Sequence, residues 1–143
     1  LLSQPPVLVE VELLDVAIEE TTEAFVMFLK EVNGNRILPI WIGQNEGQSI
    51  KIALENFKVP RPLTHDLIKS IFLAFNAKVE KVVINGLKNS TYHARLILRQ
   101  GKRLISIDAR PSDAVAIAVR IGAPIFVVKE IMESSGVEPE KNQ

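Results

Sequence analysis

The chain has 143 residues, no cysteine, 47% apolar residues, and 17 Lys+Arg against 17 Asp+Glu. This length fits one compact domain burying about two thirds of its unfolded surface, and the apolar content excludes intrinsic disorder. The lack of cysteine excludes a disulfide scaffold, zinc ribbons and a thiol nucleophile, and no stretch of about ten residues lacks a charged side chain, against about 18 apolar residues for a bilayer span.

The start, Leu1-Leu2-Ser3-Gln4-Pro5-Pro6, has neither the basic region nor the cleavage pattern of a signal peptide, so a cytoplasmic location is expected. Its lack of Met leaves open that residues precede it. Val7–Val16 then reads as a leading strand rich in β-branched residues. Ala24–Val32 and Arg36–Ile42 form the arms of a hairpin around Asn33-Gly34, a pair suited to the positive φ that a type I′ turn needs at both central residues. Glu46–Phe57 follows as a helix, with Ile50, Leu54 and Phe57 on one side and a Lys51–Glu55 pair on another. A second helix, Thr64–Phe75, carries Leu67, Ile68, Ile71, Phe72 and Phe75 as an apolar stripe.

Val79–Leu87 leads a second group of strands, Tyr92–Arg99 and Arg103–Asp108, the latter two joined at Gln100-Gly101. Along Tyr92–Arg99 the period is two: Tyr92, Ala94, Leu96 and Leu98 share one face, while His93, Arg95, Ile97 and Arg99 face solvent or a ligand. Asp113–Ile121 is apolar nearly all round until Arg120, the mark of a central buried helix. Pro124–Lys129 is a short last strand, and the polar tail from Glu133 to Gln143 is expected to fray. The single domain 1–143 therefore has its core at about residues 7–130 and a tail over 131–143.

Thr21–Ile50 aligns without gaps onto Lys88–Ile117: Phe25 meets Tyr92, Gly34 meets Gly101, Arg36 meets Arg103 and Glu46 meets Asp113. Each half reads as strand, hairpin and helix. The expected fold is α+β, two β-β-β-α repeats related by a pseudo-twofold, with a mixed or antiparallel sheet and about three helices. The neutral total also divides. Residues 1–57 carry three basic and nine acidic groups, 58–128 twelve and four, 129–143 two and four, giving −6, +8 and −2. The basic block fits a domain that meets a polyanion through a local patch, or one that lays its acidic third against its basic third.

Two segments stand apart from core writing: Arg61-Pro62-Leu63-Thr64-His65-Asp66 and Asp108-Ala109-Arg110-Pro111-Ser112-Asp113. Each offers Arg-Pro, a hydroxyl residue and an acid, and opens a helix. Capping accounts for Pro, for Thr64 and Ser112 as N-cap candidates, and for one Asp in each first turn. Arg61, Arg110, His65 and Asp108 are left over. An arginine beside the positive end of a helix needs an anion there: either a local carboxylate such as Asp66, Asp108 or Asp113, or a phosphate held together with free N–H groups. Glu46, Asp66, Asp108 and Asp113 fall at strand ends or helix starts, where they can converge on a divalent cation (Mg or Mn) that readies water for phosphodiester cleavage. His65 is a candidate acid or base, against a backbone-bonding role in the first turn; His93 sits on a basic strand face. Trp41 and Tyr92 are core, interface or stacking residues, and an aromatic content of 6% is low for a single-strand binder. Neither a phosphate loop, a dinucleotide Gly-x-Gly-x-x-Gly, a nucleophile elbow nor His-Glu-x-x-His occurs.

The run Ile37-Leu38-Pro39-Ile40-Trp41-Ile42-Gly43, the two Arg-Pro segments and Gly122-Ala123-Pro124-Ile125-Phe126-Val127 together resemble the bifunctional nuclease domain family over about residues 7–130. The resemblance implies an α+β domain and, from plant members, hydrolysis of RNA and DNA. The resemblance carries over the two motifs and no mechanism; the residues themselves suggest a metal-assisted phosphodiesterase in which Asp66, Asp108, Asp113 and His65 are catalytic, while Arg61, Arg110, Thr64 and Ser112 bind phosphate. Arg95, Arg99, Lys102 and Arg103 then steer a nucleic-acid backbone. The alternative is a non-catalytic module that recognises an anionic ligand or partner through its helix-end arginines, and a third reading makes both motifs structural. A homodimer through exposed hairpin edges fits the pattern, and a membrane partner does not.

Overall fold

The computed structural model describes residues 4–139; the first three residues of the start and the last four of the tail lie outside them. The chain runs β1 (Leu8–Ile18), β2 (Phe25–Glu31), β3 (Ile37–Ile42), α1 (Gln44–Leu54), α2 (Thr64–Ala74), β4 (Lys78–Lys88), β5 (Thr91–Gln100), β6 (Arg103–Ala109), α3 (Pro111–Ile121), β7 (Ile125–Val128) and α4 (Lys129–Ser135). It is an α+β fold on one seven-stranded mixed sheet of order β3-β2-β1-β7-β4-β5-β6. Two antiparallel three-stranded meanders flank β7, which pairs antiparallel with β1 and parallel with β4.

Period-two patterning builds the strands. Ala94, Leu96 and Leu98 of β5 are buried, while His93 and Arg99 on the other face are exposed. α3 is buried from Ala114 through Ala118 and packs on β4 and β5, with α1 and α2 on either side of it. Each of these helices ends at a left-handed residue, Asn56 after α1, Asn76 after α2 and Gly122 after α3.

Several expectations are corrected. Four helices form among the described residues, not three: the tail continues from Lys129 into α4, which buries Ile131 and Met132, and Val137 then bridges Ile37. The Asn33-Gly34 link is not a type I′ turn, since neither residue has positive φ. Gly34 serves space instead, because the Glu31 carboxylate that accepts the Arg36 N–H at 2.9 Å folds against it. Positive φ at both central residues occurs at Asn89-Ser90, between β4 and β5. The stripe on α2 is only half covered: Ile68 and Phe72 pack against the core, while Leu67, Ile71 and Phe75 are exposed. α2 lies chiefly against α3 and little against the sheet, so among the described residues one side of the stripe is left uncovered. Likewise α1 stops at Leu54, leaving Phe57 exposed beyond it.

Candidate functional site

The three large helices begin alike. Each carries an acid at its third position, Glu46 in α1, Asp66 in α2 and Asp113 in α3, where negative charge suits the helix dipole. The N-cap residues are Gly43, Leu63 and Arg110, and none makes a side-chain cap. Thr64 and Ser112 are therefore not caps; they sit one or two residues further in. Asp66 performs the capping of α2 by accepting the Leu63 N–H at 2.8 Å.

The starts of α1, α2 and α3 and the end of β6 enclose a cleft of about 710 Å³. Glu46, Thr64, His65, Asp108, Arg110 and Asp113 line it, so six of the residues singled out in the sequence meet here. Arg110 binds Asp113 through Nε (2.9 Å) and Nη2 (2.8 Å) and Glu46 through Nη2 (3.2 Å). It is thus paired to carboxylates, yet its side chain is 65% exposed at the rim, and Nη1 makes no hydrogen bond among the described residues. The hydrogen bond and charge of Asp113, with a smaller contribution from Glu46, hold the guanidinium pKa above its ordinary value.

His65 is 6% exposed, and both ring nitrogens are bonded: Nε2 to Asp113 Oδ1 at 2.8 Å, Nδ1 to Ser49 Oγ at 2.6 Å. Arg120, whose side chain is 5% exposed, donates from Nη2 to Ser49 Oγ (3.0 Å) and to the Ser49 carbonyl (3.1 Å), from Nη1 to the Ala116 carbonyl (3.0 Å) and from Nε to Asp66 Oδ1 (2.7 Å). Asp113 accepts, so Nε2 carries the hydrogen of the neutral imidazole; Nδ1 is then an acceptor, and the Ser49 hydroxyl donates to it while taking a hydrogen bond from Arg120. Burial opposes ionisation of Asp66, but the hydrogen bonds from Arg120 and Leu63 and the charges of Arg120 and Lys69 outweigh it and lower its pKa.

The network therefore runs unbroken from Glu46 through Arg110, Asp113, His65 and Ser49 to Arg120 and Asp66. Ser49 and Arg120 were not singled out in the sequence. The signal available was an arginine ending an otherwise apolar helix, which also reads as ordinary complementation of the helix C-terminus.

The remaining residues fall elsewhere. Asp66 faces a second depression beside Lys69 and Arg120. Ser112 is buried and borders a shallow pocket with Trp41, Gly43, Tyr92 and Arg110. Arg61 is exposed and makes no ion pair among the described residues. Asp108 is 74% exposed, with Arg95 at 3.8 Å; Arg99 pairs with Glu80. The four acids do not fit a divalent-ion site. Arg110 stands between Glu46 and Asp113, Arg120 claims Asp66, and no group of three His, Cys, Asp or Glu among the described residues has metal-binding geometry. No helix among them is long and apolar enough to cross a membrane.

The sequence that builds this cleft matches a known family over most of its length. The bifunctional nuclease domain model matches residues 27–140, and the chain belongs to that family. It is 41% identical over 128 residues to a protein of Mycobacterium tuberculosis described as uncharacterised, covering 90% of this chain and 76% of that one. Bifunctional nuclease 1 of Oryza sativa subsp. japonica is 30% identical over 111 residues, 76% of this chain and 34% of the plant protein. Bifunctional nuclease 1 of Arabidopsis thaliana is 30% identical over 104 residues, 71% of this chain and 32% of that protein. The chain thus spans about a third of the plant relatives.

Proposed function

We propose that the chain hydrolyses phosphodiester bonds of single-stranded RNA or DNA, with the cleft between α1, α2, α3 and β6 as its active site. The observation that carries this reading is the His65–Asp113 pair at the floor of the cleft, below an exposed arginine. Arg110 offers Nη1 to a phosphate oxygen while its other nitrogens stay fixed by Asp113 and Glu46. His65 accepts a proton at Nδ1, and Asp113 stabilises the imidazolium that results. Asp108 is the least committed cleft carboxylate, its contact with Arg95 being too long for a hydrogen bond. Trp41, 61% exposed and sharing a depression with Tyr92 and Arg110, supports a single-stranded substrate, since a base can stack beside the phosphate grip.

The test is hydrolysis of end-labelled single-stranded RNA and DNA, with and without Mg²⁺ or Mn²⁺. Arg110→Ala and His65→Gln are each expected to lower the rate by about 100-fold or more. Cleavage unchanged in both variants would sink the reading. Saturable, salt-sensitive binding without turnover would assign the cleft to anion recognition instead.

A further inference from the structure

The structure assigns to Ser49 a role that the family relationship does not carry: we propose that it is a covalent nucleophile, and that Ser49, His65 and Asp113 form a Ser-His-Asp relay. This rests on the reading of the cleft as a hydrolytic site.

Three observations lead to it. A nucleophilic hydroxyl needs a base within hydrogen-bond reach and a third group orienting that base, and here the distances are 2.6 Å from Oγ to Nδ1 and 2.8 Å from Nε2 to Asp113. In the neutral imidazole the proton directions are those the chemistry requires, hydroxyl to Nδ1 and Nε2 to carboxylate. Further, a serine buried inside a helix ordinarily bonds back to the carbonyl one turn earlier or faces water. Ser49 does neither. Its oxygen lies between an imidazole and the Nη2 of Arg120, a cation that favours alkoxide character as the proton leaves. One lone pair remains for attack, and Ser49 borders the cleft beside Ile52, Phe72, Leu96 and Ile117.

The ring is turned relative to the common serine-hydrolase arrangement, with Nδ1 towards serine and Nε2 towards aspartate. The relay is chemically equivalent, because each nitrogen keeps its role as acceptor or donor. In the first step the Ser49 Oγ–P bond forms and the P–O bond to the leaving nucleoside oxygen breaks. The serine proton passes to Nδ1 and then to the leaving oxygen. In the second step water attacks the phosphoserine diester, gives a proton to Nδ1, and the P–Oγ bond breaks with that proton returned to Oγ. One phosphodiester and one water yield one alcohol and one phosphomonoester, without redox change.

The experiment uses the full chain and diisopropyl fluorophosphate, a phosphorylating reagent small enough for the cleft, with peptide mass spectrometry. The expected result is a single phosphoryl adduct on Ser49, formed about 100-fold faster than on the denatured chain and lost in His65→Gln. In parallel, Ser49→Ala is expected to lose nucleic-acid hydrolysis by about 100-fold or more. No adduct, an adduct on another serine, or full cleavage by Ser49→Ala overturns the nucleophile. If Ser49→Ala does not fold, labelling of the unaltered chain decides alone. Cleavage of nucleic acid without labelling leaves the proposed function standing and removes this inference. Labelling of Ser49 without cleavage does the reverse.

Discussion

Asp66 ties three helices together through a single carboxylate: it caps the start of α2 at Leu63 and binds Arg120 near the end of α3, which in turn grips Ser49 in the middle of α1. Because its folded pKa is depressed below the ordinary 3.8, the unfolded chain binds the extra proton as pH falls through that region. The stabilisation is therefore fully present above about pH 4 and is lost progressively below it. Asp66→Asn is expected to cost about 1–3 kcal/mol at pH 7: it leaves a buried guanidinium short of its counter-charge, but the carboxylate is itself a third exposed, which screens the pair. Urea midpoints measured from pH 7 down to pH 2.5 should show the gap between the two proteins narrowing below pH 4; a constant gap would remove Asp66 as the source. At this scale the sequence was half legible. His65 and Arg110 stood out because capping leaves them over, and Asp113, which capping explains, entered as a carboxylate that could pair with Arg110. Ser49 did not, because a single serine between Gln48 and Ile50 carries no signal until α2 and α3 bring His65 and Arg120 to it.

The strands were legible within one or two residues; β5 shows why, since the alternation of buried Ala94, Leu96 and Leu98 with outward side chains reports one buried face directly. The links were not. Whether a hairpin closes by positive φ or by a side chain depends on the groups nearby, as the Glu31 carboxylate against Gly34 shows. α4 escaped because a seven-residue helix is too short to display a period. Packing likewise decides Gly47 in α1, which is buried where a Cβ would run into the Phe25 ring of β2. Helix propensity favours Gly47→Ala by up to about 1 kcal/mol, whereas overpacking costs about 1–3 kcal/mol and should win. A thermal melt should fall by roughly 3–8 °C. The loss should be partly recovered by adding Phe25→Leu, which makes room for the new methyl; absence of recovery would place the cause elsewhere. Since Ser49 follows two residues later on the same helix, the displaced α1 should also slow cleavage.

The two meanders meet in the sheet only through β7, four residues near the end of the chain, which pairs Leu8–Val11 on one side and Val82–Ile84 on the other. Pairing Leu8 with Val128 closes a loop of nearly the whole described chain, a contact of high sequence separation whose closure entropy the seam must offset. Val127 is fully buried in that seam, and Val127→Asp places an unpaired carboxylate there at a cost of roughly 4 kcal/mol or more, comparable with the stability of a domain this size. We expect the variant to lose its cooperative thermal transition, and Glu130→Ala, three residues on and exposed, to keep it. A cooperative melt in Val127→Asp would mean that the α1–α3 contact alone joins the halves. The cleft is tied to the same seam. Glu46 and Ser49 precede the second meander while Arg110, Asp113 and Arg120 follow it, and their hydrogen bonds hold only if β1 and β4 are kept one strand apart. Cleavage by Val127→Asp should therefore vanish together with the melt, with no partly active folded intermediate.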